Sequence, residues 1–216
     1  MKYFFTLFCC ALFGLTTSAQ MDDMTPHDTY PVLNKPENEL QRRFMEEFTP
    51  GKVGNMHVYT YRDNPPADYF FDGEPLATSY AEMYPTRLRR QMGTGKTYAV
   101  AMIRGGEGQH FMVRGDLPKD GNVISLYEFR GDKLLEVMPL ARMQCRSNGK
   151  CRQMDSWIQD VDGDTRLDII QRTRTLRNGT ESKVKTVVYR QLPDGDYTKN
   201  NSLSVDPLDY QFEQPK

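Results

Sequence analysis

From Thr97 to Gln191 the chain is written in short runs, often with apolar and polar residues alternating, punctuated by glycine-bearing turns. The turns fall at Gly105-Gly106, Asp120-Gly121-Asn122, Arg130-Gly131-Asp132, Asn148-Gly149, Asp162-Gly163, Asn178-Gly179 and Asp194-Gly195. Between them, 123–129, 134–137, 140–145, 153–158, 167–173 and 183–191 have the β-branched and aromatic content and the period of two that strands need. Residues 56–61 and 97–103 read the same way. Connections this short leave no room for crossover helices, so the pattern predicts an antiparallel meander. One face of such a sheet can stay wet, which suits the Arg172/Arg174 and Lys183/Lys185 alternations.

Helical spacing is confined to the N-terminal side. Pro36 suits a first turn, Glu37 and Glu39 suit its positive end, and Leu40, Phe44 and Phe48 make an i, i+4, i+8 stripe before Thr49-Pro50-Gly51 stops the helix. Over 75–92, Leu76, Tyr80 and Tyr84 keep helical spacing, Pro85 interrupts, and Thr86 can cap a second short helix. The expected fold class is therefore mainly β (α+β), one or more antiparallel meander sheets with an N-terminal helix. The expected layout is a signal peptide at 1–19, a flexible leader at 20–34, a single domain at 35–200 and a C-terminal tail at 201–216.

The signal is read from Lys2, the apolar run 3–15 and the small residues ending at Ala19, which together make an export signal cleaved near that alanine. The run is too short to span a bilayer and no second one follows, so an exported chain, periplasmic or extracellular, without a membrane span is expected. Of four cysteines, Cys145 and Cys151 remain after cleavage, bracketing a five-residue turn. In an oxidising compartment they read as a hairpin disulfide, because two thiols without a nearby histidine supply only half a zinc shell.

Charge narrows the partners. Lys and Arg number 28 against 29 Asp and Glu, a net charge of −1, so no overall field recommends nucleic acid or an anionic membrane. A protein or glycan partner is expected. Gly93-Thr94-Gly95-Lys96-Thr97 fails as a phosphate loop, since Arg90 stands where the first glycine belongs. The tripeptides Arg114-Gly115-Asp116 and Arg130-Gly131-Asp132 read as turn chemistry rather than adhesion motifs.

Asp160-Val161-Asp162-Gly163-Asp164-Thr165-Arg166-Leu167-Asp168 is the one stretch that names a ligand. Asp160, Asp162, Asp164 and Asp168 stand at positions 1, 3, 5 and 9 of a tight turn, and alternate positions point inward, so four carboxylates can meet a calcium ion that takes six to eight oxygens. The carbonyl of Arg166 can add a fifth protein ligand. Without a cation, such carboxylates repel one another. The loop is not an EF-hand, since Gln171 stands where a bidentate glutamate is needed and the flanks, 157–158 and 169–170, look like strands.

The stretch from Trp157 through Asp-Val-Asp-Gly-Asp-Thr-Arg-Leu-Asp to Ile170 resembles the calcium loop of FG-GAP or VCBS-type repeats, the blades of integrin-like β-propellers. The resemblance implies side-chain ligands at Asp160, Asp162, Asp164 and Asp168, a carbonyl ligand at Arg166 and an internal glycine at Gly163. Thr165 departs from that pattern, where a second glycine is usual. One copy is present, and a propeller needs several, so a full propeller is not expected. The expected function is an exported, non-enzymatic β-rich module with one structural calcium loop and a binding or scaffold role. The alternative is a secreted, carboxylate-based, glycan-directed hydrolase, since that chemistry needs only two carboxylates. No Ser-His-Asp grouping can be assembled from His27, His57 and His110.

Overall fold

The computed structural model describes residues 36–51, 55–61, 66–92, 95–105, 108–117 and 121–213. The expected signal peptide, the leader and Gly93-Thr94 lie outside them. In chain order the elements are helix α1 (Glu39–Glu46), strands β1 (Met56–Val58) and β2 (Glu74–Pro75), helix α2 (Thr86–Met92), then strands β3 (Thr97–Gly105), β4 (Gly108–Leu117), β5 (Gly121–Arg130), β6 (Lys133–Cys145), β7 (Lys150–Gln159), β8 (Asp168–Arg177), β9 (Thr180–Gln191) and β10 (Tyr197–Asn200). Short 3-10 turns occupy Phe70–Asp72, Thr78–Glu82 and Pro207–Asp209.

Strands β2 to β10 lie side by side in chain order as one open antiparallel sheet, and β1 adds against β7. The mainly β meander is therefore what this pattern folds into. The described residues belong to one compact unit, Leu33–Lys216. None of their helices is long and apolar enough to cross a membrane.

Two expected strands, 134–137 and 140–145, are one. Pro139, which has no N–H to give, faces Ser125 across β5, and the register slips on both sides of that pair. Bulges let a proline sit inside a ladder without leaving a donor position empty. The first Arg-Gly-Asp tripeptide is also not a turn. Arg114 lies inside β4, paired with Asp72 at 3.0 Å and Asp116 at 3.1 Å, its guanidinium 3.7 Å from the Tyr98 ring centre. Arg130-Gly131-Asp132 does turn, with Gly131 at φ 62° between β5 and β6.

Both faces of the central strands are buried, so 123–129 does not keep the alternation expected of it. Phe111, Val113, Tyr127 and Phe129 face α1, while Met112, Ile124 and Leu126 join Val58, Ile103, Leu140, Ile158 and Ile169 on the other side. Helix α1 starts one turn later than its proline suggests. Asn38 caps it, accepting from the Gln41 N–H at 2.9 Å, while the Gln41 side chain accepts from the Glu37 N–H at 2.7 Å. Phe44 then reaches the centre of the first cluster.

Strand β7 changes partner midway. Its first half pairs with β6 through Cys151↔Cys145 to Met154↔Arg142, and its second half pairs with β1 through Ser156↔Val58 to Ile158↔Met56. Where β6 peels away, side chains take over the ladder: Ser156 Oγ donates to the Leu140 carbonyl at 2.5 Å and Gln171 Nε2 to that of Pro139 at 2.8 Å. The Cys145–Cys151 disulfide forms across the last pair before the turn. Closing so short a ring adds roughly 2 kcal/mol.

Arg172 and Arg174, expected on a wet face, are buried at 8% exposure. The segment expected as a C-terminal tail covers them: Tyr210 and Phe212 are buried, and Phe212 lies 4.9 Å and 4.4 Å from the two guanidinium carbons. Arg172 donates to the backbone carbonyls of Pro207 and Tyr210, and Arg174 to the side-chain amide oxygen of Gln153 and the backbone carbonyl of Glu213. Asp155, fully buried below, accepts from the Glu213 N–H at 2.8 Å and from Gln153. Sequence pattern shows two alternating cations but not what lies over them. Lys183 and Lys185 do stay exposed.

His110 is buried on β4, its Nε2 3.8 Å from Glu128 and its ring 5.7 Å from that of Tyr197. Burial holds its pKa below the usual 6.5, against the opposing pull of Glu128 and Asp196. The unfolded chain therefore takes up the proton first. The stability tied to this group is complete above pH 6.5 and is lost as pH falls toward the folded-state value. Urea unfolding at pH 7.5 and pH 5 should show that loss, and His110→Leu should flatten it.

Candidate metal centre

The 160–167 loop joins β7 to β8, and the Gln159↔Asp168 pair closes it. Asp160 organises the backbone: its carboxylate accepts from the N–H groups of Gly163 at 2.8 Å, Asp164 at 3.1 Å and Thr165 at 2.9 Å. Those donors can converge only if the chain turns sharply twice, and Gly163 and Thr165 both have left-handed backbones, at φ 78° and 67°. Gly163 adopts this freely. Thr165 is β-branched and does not, so it carries strain where the resembled loops carry glycine. Thr165→Gly should stabilise the protein by about 0.5–1 kcal/mol, the relief of a left-handed β-branched residue less the extra freedom of glycine in the unfolded chain. Chemical denaturation measures it; a loss of stability would show that the threonine side chain has a role of its own.

Asp168 begins β8 and is fully buried. Its two oxygens accept from Val161 N–H at 3.2 Å and Gln191 N–H at 3.0 Å, tying the loop to β9. Desolvation raises its pKa, the two N–H donors oppose that shift, and Asp162 and Asp164 add to it. A cation beside Asp168 would remove the penalty for ionising it.

Asp160, Asp162 and Asp168 converge: each offers an oxygen, and these lie within 4.8 Å of one another. Calcium holds oxygens at roughly 2.3–2.6 Å, so ligands on opposite sides of the ion stand about 5 Å apart. The group fits around one such ion. Asp164 turns instead to two guanidiniums, that of Arg166 and that of Arg190 at 2.8 Å, with Arg190 first in holding its pKa below the usual value. Arg190 also reaches Asp162 at 2.9 Å. Arg166 extends to the Gln191 carbonyl at 3.1 Å, and its backbone N–H donates to Asp164 at 2.9 Å.

Arg190 and Gln191 are the site residues that sequence reasoning misses. They stand more than twenty positions beyond the loop, and only the Tyr189↔Ile169 register brings them beside it. Four carboxylates facing two guanidiniums leave two negative charges, the charge one divalent ion neutralises. Trp157 lies three residues before the loop, stacked on His57 with ring centres 4.4 Å apart and edge-on to Tyr210 at 5.4 Å. The chain matches no protein family, no curated protein and no solved structure.

Proposed function

We propose that the chain is an exported, non-enzymatic β-rich binding module whose 160–168 loop takes up one calcium ion as a structural clamp, in the manner of FG-GAP or VCBS-type loops. The observation that carries this reading is the convergence of Asp160, Asp162 and Asp168 within 4.8 Å. Asp160, Asp162 and Asp168 would hold the ion, and the Arg166 carbonyl, with Asp164 once released from its guanidinium partners, would complete the protein's share. The ion would supply charge neutralisation, and the loop would pass that rigidity to β7, β8 and β9. The left-handed backbone at Thr165 supports the resemblance at the position where the residue type departs from it. The disulfide supports export, since such bonds persist in oxidising compartments.

The hydrolase reading finds less support. Among the described residues no aspartate or glutamate lines the four cavities, and the buried Asp155 is engaged by His57 at 3.3 Å, by Gln153 and by the Glu213 N–H. Calcium at a hundred times its dissociation constant adds about 2.7 kcal/mol, so the melting temperature should rise by about 5–10 °C over that in chelator. Trp157 emission should change in step. Asp162→Asn should remove most of the rise, and a wild-type protein indifferent to chelator would end the clamp reading.

A further inference from the structure

At the end of the sheet away from the calcium loop, strands β6 to β9 enclose a cleft of about 500 Å3. The registers show how cations collect there. Arg142 on β6 pairs with Met154, Met154 with Thr173 and Thr173 with Lys185; two positions along, Gln144 pairs with Arg152 and Arg152 with Thr175. Arg146 and Lys150 close the β6–β7 turn through the Arg146 N–H to the Lys150 carbonyl at 2.9 Å, beside the disulfide. The Lys150 strand end is held to the neighbouring hairpin by the Asn178 N–H on the Gly149 carbonyl at 3.1 Å.

Lys183 reaches the cleft by an irregularity. Ser182 stands opposite Thr175 and Lys185 opposite Thr173, so β9 spends two residues, Lys183 and Val184, where β8 has Arg174 alone. The bulge puts Lys183 at φ 57° and leaves Val184 42% exposed at the cleft wall. Left-handed lysine inside a strand is a strained arrangement, and bulges of this kind re-aim side chains.

No aspartate or glutamate among the described residues lines the cleft. Among the described residues Arg146, Lys150, Arg152, Lys183 and Lys185 form no ion pair, although the chain as a whole is slightly acidic. Arg174, which also lines the cleft, is paired with Glu181 at 2.8 Å; the other five like charges repel one another, and a multiply charged anion reverses that cost. We propose that this cleft binds a polyanionic oligosaccharide, its sulfate, phosphate or carboxylate groups distributed over Arg142, Arg146, Lys150, Arg152, Lys183 and Lys185.

Guanidinium forks match such oxyanions bidentately, the lysines act as point charges, and the Thr173 and Thr175 hydroxyls supply donors between them. Single-stranded nucleic acid is read by stacking bases on aromatic side chains, and the described lining residues include none. A vesicle surface meets protruding residues, whereas these line a recess. The proposal rests on the reading of the chain as a binding module and not on the calcium loop.

The test is calorimetric titration of the full chain with a sulfated heparin hexasaccharide in 150 mM NaCl, in calcium and again in chelator. The wild type should bind, more weakly as salt rises, and the fully desulfated hexasaccharide should not. Neutralising three exposed cations in Arg152→Gln/Lys183→Gln/Lys185→Gln should weaken binding about tenfold or more. The same variant should keep its melting temperature and its response to calcium, and Lys133→Gln/Lys199→Gln, elsewhere on the surface, should bind as wild type. Absence of binding, or equal binding by the triple variant, overturns the proposal. So does tighter cleft-dependent binding of a single-stranded oligodeoxynucleotide or of phosphatidylglycerol vesicles. Hexasaccharide binding with no calcium effect on melting would leave the cleft standing while the clamp falls.

Discussion

Phe44→Ala should cost about 3–5 kcal/mol, the usual range for emptying a phenylalanine site in a close-packed core. Phe44 is fully buried, and its ring centre lies 4.9 Å from that of Phe48, 5.3 Å from Tyr80 and 5.6 Å from both Phe111 and Phe129. Phe44 sits on α1, and those rings come from the segment just after it, the Thr78–Glu82 turn, β4 and β5, so one side chain joins four elements. The alanine variant loses transfer free energy and leaves a cavity that the paired strands β4 and β5 cannot collapse to fill. The urea midpoint should fall with little change in slope. A loss below about 1 kcal/mol would mean that α1 does not hold the first cluster together.

Asp168→Ala should be the most damaging change in the loop. In chelator it strands the Val161 and Gln191 N–H groups, the latter on a fully buried residue, at about 1–3 kcal/mol for each donor left unpaired. Part of that is returned, because a carboxyl whose pKa is raised by burial no longer has to ionise. In calcium the variant also loses the metal's contribution of about 2.7 kcal/mol at a hundredfold excess over the dissociation constant. The gap between wild type and variant should therefore widen when calcium is added. A gap of the same size in calcium and chelator would make Asp168 a hydrogen-bonding residue only.

Local chemistry was legible in the sequence wherever it closed within a few residues. The meander follows from turn residues and period-two runs, and the Cys145–Cys151 pair from its five-residue spacing. The convergence of Asp160, Asp162 and Asp168 follows the alternate-position rule, because all three stand in one tight turn. What depends on register was not legible. Arg190 and Gln191 meet the loop only through the β8–β9 ladder, where Arg190 pairs with both Asp162 and Asp164. The merging of two expected strands into β6 turns on bulges beside Pro139, where the backbone solves a missing donor that a pattern reads as a break. The burial of Arg172 and Arg174 depends on a C-terminal segment with no period of its own, recognisable afterwards by Tyr210 and Phe212, two aromatics at a chain end that a solvated tail would not favour.

The basic cleft belongs to the same class of feature. Its cations are spread over β6, the β6–β7 turn, β7 and β9, and charge counting along the chain cancels them against carboxylates that lie elsewhere. Only the rows Arg142-Met154-Thr173-Lys185 and Gln144-Arg152-Thr175 put them together.

The calcium clamp is tested most directly by counting ions. Equilibrium dialysis of metal-stripped protein against calcium should give one ion per chain at saturation, with the site lost in Asp160→Asn and kept in Thr165→Gly. Stoichiometry near zero at millimolar calcium, or one ion retained in Asp160→Asn, would contradict the account.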